Sequence, residues 1–189
     1  IQVAFVRDNN LFVKNLENSQ EKQLTTDGKK NEIINGATDW VYEEEFAFDK
    51  AFFWSPTGNQ IAYYLFDESK VREFNMPIYG SLYPQDKPFK YPKAGEDNSN
   101  VSIGVVELSS GNSSSYAPTN DVEYIPRVKW SSNDNALIIY TMNRHQSNLK
   151  LINYNPSAKS STILYEENNE AYIDITDNFY VVGANKGFI

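Results

Sequence analysis

The sequence predicts an all-β fold assembled from repeated four-stranded units. Three observations lead there. A turn-and-strand motif recurs along the 189 residues, short alternating strands follow each copy, and aromatics make up 14 % of the chain, with 13 Tyr and 11 Phe. Aromatic and β-branched side chains suit the half-buried faces of sheets better than helix bundles. Four short antiparallel strands per unit, repeated, is the pattern of propeller blades.

Taken in order, Ile1-Gln2-Val3-Ala4-Phe5-Val6 reads as a strand already under way, which predicts a fragment with no signal peptide. Leu11-Phe12-Val13-Lys14-Asn15-Leu16 is the next strand and leads into Gln23-Leu24-Thr25. The clearest unit is Phe53-Trp54-Ser55-Pro56-Thr57-Gly58-Asn59-Gln60-Ile61-Ala62-Tyr63-Tyr64: an inward aromatic, a Pro/Gly turn and an alternating strand. Its register returns at Trp130-Ser131-Ser132-Asn133-Asp134-Asn135-Ala136-Leu137-Ile138-Ile139-Tyr140, where Asn and Asp replace Pro and Gly as turn formers. Gln2-Val3-Ala4-Phe5 matches Gln60-Ile61-Ala62-Tyr63 in the same way. Further strands are expected at Ser102–Leu108, Leu149–Tyr154 and Thr162–Tyr165, and Tyr180–Ile189 reads as the start of another unit.

Blades usually repeat at about 40–50 residues. The 58 positions from Gln2 to Gln60 and the 76 from Trp54 to Trp130 therefore imply insertions, assigned to Asn31–Lys50 and Asp67–Asn100. Pro77, Pro84, Pro88 and Pro92 exclude a helix or a central strand from the second insertion. It is expected to be an extended loop anchored by Tyr79, Tyr83, Phe89 and Tyr91. The expectation is a β-propeller fragment with about three four-stranded blade-like units, the first and last incomplete. A β-sandwich with long loops is the alternative.

A formal net charge of −8 argues against nucleic acid or an anionic membrane as partner, since both need clustered Lys and Arg. It favours a cationic ligand. With no Cys, disulfides and Cys-based metal sites are excluded, and one His with no Asp-x-Asp-x-Asp-Gly loop leaves no metal candidate. No cofactor is expected. No apolar run approaches the roughly 20 residues that span a bilayer.

The strongest local signal is Asp39-Trp40-Val41-Tyr42-Glu43-Glu44-Glu45-Phe46, three consecutive carboxylates between large aromatics. An isolated Glu-Glu-Glu is most often a solvated charge run. Here Trp40, Tyr42, Phe46 and Phe48 would bury and hold the backbone instead. On a strand Glu44 and Glu45 would point to opposite faces, so convergence on one ligand requires a helical turn or a bend. Two nearby carboxylates repel unless a cation sits between them. A peptide's α-ammonium, with a reference pKa near 8, fits that description.

This segment resembles the double-glutamate segment of the dipeptidyl peptidase IV family. Ile33-Ile34-Asn35-Gly36-Ala37-Thr38 before it and Phe53-Trp54-Ser55-Pro56-Thr57-Gly58 after it are similar to that family as well. So are Tyr91-Pro92-Lys93-Ala94-Gly95 and Tyr124-Ile125-Pro126-Arg127-Val128-Lys129-Trp130. The resemblance implies that residues 1–189 are part of an N-terminal β-propeller domain, with the family's C-terminal α/β-hydrolase domain absent from this chain. It implies a parent enzyme, a serine-type dipeptidyl peptidase of the prolyl oligopeptidase kind that releases N-terminal X-Pro or X-Ala dipeptides. Glu44 and Glu45 match the two glutamates that bind the substrate's free N-terminus, and Glu43 matches no assigned role.

By the same resemblance the partners are peptides with a free N-terminus, the protein's own hydrolase domain and, in the parent, a second copy in a homodimer. The location is periplasmic, secreted or at the cell surface. The family's propeller arginine is expected before Ile1, and neither Arg7 nor Arg72 matches it. Its active-site tyrosine lies downstream, so Tyr42, Tyr63 and Tyr172 do not take that role. The fragment contains no Gly-x-Ser-x-Gly elbow, and His145 has no partner at a defensible spacing, so no catalytic residue is expected here. A non-catalytic propeller acting as a binding module and a tripeptidyl peptidase relative are the rival functions.

Overall fold

The computed structural model describes residues 1–182, 187 and 188. Within them are fourteen strands and one short helix: β1 (Gln2–Arg7), β2 (Asn10–Asn15), β3 (Glu21–Gln23), β4 (Ile33–Asn35), α1 (Trp40–Glu45), β5 (Phe52–Trp54), β6 (Gln60–Asp67), β7 (Glu73–Ile78), β8 (Gln85–Lys90), β9 (Asn100–Glu107), β10 (Ser113–Tyr116), β11 (Val128–Trp130), β12 (Leu137–Met142), β13 (Asn148–Asn155) and β14 (Ser160–Asn168). The fold is an all-β propeller fragment. Its residues fall into two compact units: 1–51 with 65–100, and 52–64 with 101–189.

In the first unit β1, β2 and β3 form an antiparallel sheet. Arg7 pairs with Asn10, so the β1–β2 connection is the two residues Asp8 and Asn9, at φ 50° and 59°. Positive φ at both central positions marks a type I′ turn, and Asp and Asn tolerate it because their short polar side chains bond locally. Leu11 and Val13 are buried, and Leu24 N–H reaches Leu11 O. β4 pairs antiparallel with the end of β6, Asn35 opposite Leu65 and Ile33 opposite Asp67.

The 67–100 insertion departs from the expected loop. β7 and β8 pair antiparallel as a two-stranded ribbon, with Pro77 opposite Asp86 and Pro88 opposite Asn75. Both prolines fall on the same alternate class of pair. That class is the one whose N–H groups point away from the partner strand, so proline costs the ladder nothing there. The anchoring residues also differ. Phe74, Phe89 and Tyr91 pack on one another with ring centroids 5.5–6.3 Å apart. Tyr79 and Tyr83 stand 79 % and 77 % exposed at the ribbon's tip and anchor nothing.

In the second unit β5 pairs with β6, and β6, β9 and β10 follow as neighbours. β11-β12-β13-β14 is a separate four-stranded antiparallel sheet. The expected equivalence of the two tryptophans holds in register: Trp54 pairs with Ile61, and Trp130 pairs with Leu137. Ser55 N–H reaches Gln60 O, and Ser131 N–H reaches Ala136 O, at 2.9 Å in both turns. Trp130 Nε1 donates to Phe53 O at 3.0 Å, and Thr57 bonds Asp134 from the neighbouring turn. Two tryptophans in separate sheets with the same turn geometry is the arrangement of successive blades and not of one continuous sheet.

The core of this unit is aliphatic and aromatic: Ile61, Ile103, Leu137 and Ile139 are fully buried. Tyr64 is buried too, its hydroxyl donating to Ile125 O at 3.0 Å, and burial pushes its pKa far up. Gly104 allows the Tyr63 ring to approach β9 closely, because a Cβ there would come within 2.3 Å of it. Val181 bridges to Phe188 at the end of the chain. The predicted further unit at Tyr180–Ile189 otherwise lies partly outside the described residues.

Candidate functional site

The glutamate run sits on α1, the one helix among the described residues. Trp, Val and Tyr are better strand than helix formers, so propensity does not explain a helix there. Capping and packing do. Asp39, extended at φ −79° and ψ 177°, accepts a hydrogen bond from Tyr42 N–H through Oδ1 at 3.0 Å. That satisfies one of the orphan donors at the helix start. Asp39 Oδ2 accepts from Ser99 Oγ at 2.6 Å, and both residues are buried.

The buried face of α1 is Val41 and Tyr42. Tyr42 packs against Phe46, Phe48 and Phe66 at centroid distances of 4.9, 5.9 and 4.7 Å. Trp40 meets Tyr91 edge-on at 4.3 Å. Phe46 ends the helix, its N–H bonded to Tyr42 O at 3.3 Å, and Ala47 follows at φ 58°. This left-handed residue just past the helix end is normally glycine, and an L-residue there is strained by roughly 1–2 kcal/mol.

Glu43, Glu44 and Glu45 are all exposed. At about 100° per residue, Glu44 and Glu45 occupy adjoining sectors of the helix surface, where a strand would have set them on opposite faces. The bend that convergence requires is thus present. Glu43 and Glu44 adjoin in the same way, while Glu43 and Glu45 lie roughly 160° apart. Among the described residues none of the three glutamate side chains has a hydrogen-bond or ion-pair partner, and no basic residue lies in the helix's last turn. The C-terminal end of a helix carries partial negative charge, so Glu44, Glu45 and the terminal carbonyls all favour a cation.

Beneath the helix the charges are different in kind. Burial raises the Asp39 pKa, with the bonds from Ser99 and the Tyr42 backbone opposing it. Glu68, also buried, is raised by burial first and then by the Asp39 charge, with Lys90 opposing. Sequence reasoning missed Asp39 and Ser99. The Asp before an acidic first turn was the available signal for the cap, masked by the strand-forming Trp-Val-Tyr that follows. Nothing in the sequence pointed to Ser99.

The other sequence candidates are scattered. His145 is exposed in the β12–β13 turn. Arg7 caps the rings of Phe5 and Phe12 and pairs with Glu21, and Arg72 pairs with Glu96. Among the described residues no group of three His, Cys, Asp or Glu side chains is arranged to hold a metal ion, and no helix is long and apolar enough to cross a membrane.

Residues 1–189 match the family described as the dipeptidyl peptidase IV (DPP IV) N-terminal region. The crystal structure of Porphyromonas gingivalis dipeptidyl peptidase 4 superposes with a TM-score of 0.85 at 42 % identity, over 92 % of this chain and 25 % of that one. Dipeptidyl aminopeptidase B of Saccharomyces cerevisiae is 33 % identical over 98 % of this chain and 24 % of its own length. The inactive dipeptidyl peptidase 10 of Mus musculus is 34 % identical over 77 % of this chain and 19 % of its own. The chain spans a quarter or less of the length of these relatives.

Proposed function

Because this chain belongs to the dipeptidyl peptidase IV family, as part of its N-terminal region, we propose that it anchors the free N-terminus of a peptide substrate through Glu44 and Glu45. The observation that carries this reading is the pair's position: consecutive, exposed, on adjoining sectors at the end of a helix, with no cation among the described residues to neutralise it. An ammonium between two carboxylates relieves their repulsion and takes charge-assisted hydrogen bonds from both.

In the full-length protein the consequence is a ruler. With the amine fixed, only the bond after the second residue reaches the nucleophile, and binding energy remote from the reacting bond becomes positioning. The nucleophile, base and oxyanion hole belong to an α/β-hydrolase domain outside this chain, and the products are X-Pro or X-Ala dipeptides. The protein acts in the periplasm, as a secreted enzyme or at the cell surface. It works as a homodimer, for which the exposed ribbon tip of Tyr79, Leu82 and Tyr83 offers an apolar surface to a second copy.

The test is made in the full-length protein. Glu44→Ala or Glu45→Ala should each cost about 10- to 150-fold in kcat/KM on a Gly-Pro amide, from roughly 1.5–3 kcal/mol per lost charged hydrogen bond. Glu43→Ala should cost much less, which separates the Glu44–Glu45 pair from the geometrically similar Glu43–Glu44 pair. Acetylating the substrate amine should reproduce the double mutant. Equal turnover of acetylated and free-amine substrates by the wild type would sink the proposal.

A second reading is favoured by one observation, the 34 % identity to a relative named as inactive. Under it the propeller binds peptide N-termini without cleavage. A full-length protein that binds Gly-Pro peptides through Glu44 and Glu45 yet releases no product would select this reading.

A further inference from the structure

We infer that Tyr91 and Ser99 are positioning residues for the Glu44–Glu45 anchor, holding α1 at the angle where its last two carboxylates meet one ammonium. The inference rests on the amine-anchoring reading above.

A helix of six residues has too few internal hydrogen bonds to be stable alone, so its setting is decided by what it touches. Its middle is fixed by Tyr42 among Phe46, Phe48 and Phe66. Its start is fixed by two contacts of different chemistry. Trp40 takes the edge of Tyr91 at 4.3 Å, and the Asp39 cap takes the Ser99 hydroxyl at 2.6 Å. Both come from one segment, 91–99, that makes no strand of its own.

That segment is braced. Tyr91 N–H bonds Arg72 O at 3.0 Å, and its ring also packs on Phe74 and Phe89. Lys93 and Glu96 close a turn, Lys93 N–H to Glu96 Oε2 at 3.1 Å and Glu96 N–H to Lys93 O at 2.9 Å, with Gly95 at φ 87°. Arg72 pairs with Glu96 at 3.4 Å, and the Lys93 ammonium lies 5.3 Å from the Phe74 ring centre. The ribbon's base is thus a frame against which the helix start is held at two points.

The lever is short but sensitive. Side-chain ends lie about 5–6 Å from a helix axis, so a rotation of roughly 10–20° moves a carboxylate by about 1–2 Å. A misplacement of about 1 Å costs on the order of 100-fold when orientation is what the contact supplies. Neither Tyr91 nor Ser99 needs to touch substrate for its loss to be felt.

The experiment compares Ser99→Ala, Tyr91→Leu and Tyr91→Phe in the full-length protein, each with and without Glu45→Gln. The substrates are a Gly-Pro amide and its N-acetyl form. Ser99→Ala and Tyr91→Leu should lower kcat/KM on the free amine by about 10- to 100-fold. Tyr91→Phe, which keeps the ring, should stay close to wild type. With Glu45→Gln already present, Ser99→Ala should cost almost nothing more, because the two changes remove the same orientation. Residual turnover of the acetyl substrate should not move. Undiminished activity of Ser99→Ala overturns the inference, as do equal losses with and without Glu45 or on both substrates, which mark a merely structural role. If Tyr91→Leu does not fold, Ser99→Ala carries the decision. If the wild type itself ignores acetylation, the anchoring reading fails and this inference falls with it, an outcome distinct from every mutant result above.

Discussion

Replacing Asp39 tests how α1 is held, because one buried carboxylate caps the helix and accepts the Ser99 hydroxyl. Asp39→Ala removes a cap worth typically about 1 kcal/mol. It also removes the acceptor of a buried hydroxyl, a loss of roughly 1–3 kcal/mol. Relief of a carboxylate whose ionisation burial disfavours offsets part of this, so the net loss should be about 1–3 kcal/mol. That corresponds to roughly 2–4 °C in Tm for each kcal/mol in a chain of this size. Asp39→Asn keeps the cap through Oδ1, and its amide can donate to Ser99 Oγ in place of the reversed bond, so the loss should be small.

The two variants differ in pH dependence. The folded-state pKa of Asp39 lies above its ordinary 3.8, so the folded protein holds the proton more tightly than the unfolded chain. The contribution is most favourable below pH 3.8 and declines as pH rises through the folded pKa, beyond which it is level. Asn does not titrate. The stability of Asp39→Asn minus that of wild type should therefore rise with pH across this window, a difference in which the distant carboxylates cancel and Glu68, whose pKa the Asp39 charge also raises, adds a change of the same sign. Urea unfolding midpoints at a series of pH values from 3 to 7 read it directly. A difference that stays flat, or moves the other way, refutes the assignment of a buried carboxylate under the helix.

Two further changes probe the frame around the site. Gly104→Ala puts a Cβ within 2.3 Å of the buried Tyr63 ring and should cost about 1–3 kcal/mol, much of it recovered when Tyr63→Leu is added; an unchanged urea midpoint would contradict the packing. Ala47→Gly should raise stability by up to about 1 kcal/mol by relieving the left-handed φ of 58° just past the helix, and a lower urea midpoint would contradict that conformation.

The blade registers were readable because two independent signals coincide in each: a turn former and an inward tryptophan seven residues before the partner aliphatic, Trp54 to Ile61 and Trp130 to Leu137. The glutamate run was readable from its flanking aromatics, and so was its need for a bend. The bend's form was not. Trp40, Val41 and Tyr42 favour strands locally, and a cap at Asp39 with a buried Tyr42 overrode that preference. The ribbon of β7 and β8 was hidden by Pro77 and Pro88, because proline forbids a central strand but is harmless on the outward N–H positions of a two-stranded one. Tyr79 and Tyr83 show the limit of aromatic counting: identical in type to Tyr42, they stand in solvent. Ser99 was invisible because its role depends on a residue sixty positions earlier.

The placement of the glutamates in an insertion, and not on a blade strand, follows from geometry. Consecutive residues on a strand send their side chains to opposite faces, so no blade strand can offer two neighbouring carboxylates to one ammonium. A single helical turn can, since its successive side chains diverge by only about 100° and the glutamate stems are long enough to close that gap. Such a turn is too short to hold itself, which is why it comes with a buried cap, a ring contact at each end and a strained residue, Ala47, that stops it one position past Phe46. If Glu44 and Glu45 anchor an amine as proposed, the accuracy of that anchor is a property of the insertions that frame it, and the propeller's sheets supply the floor, Phe66 of β6 under Tyr42, on which they stand.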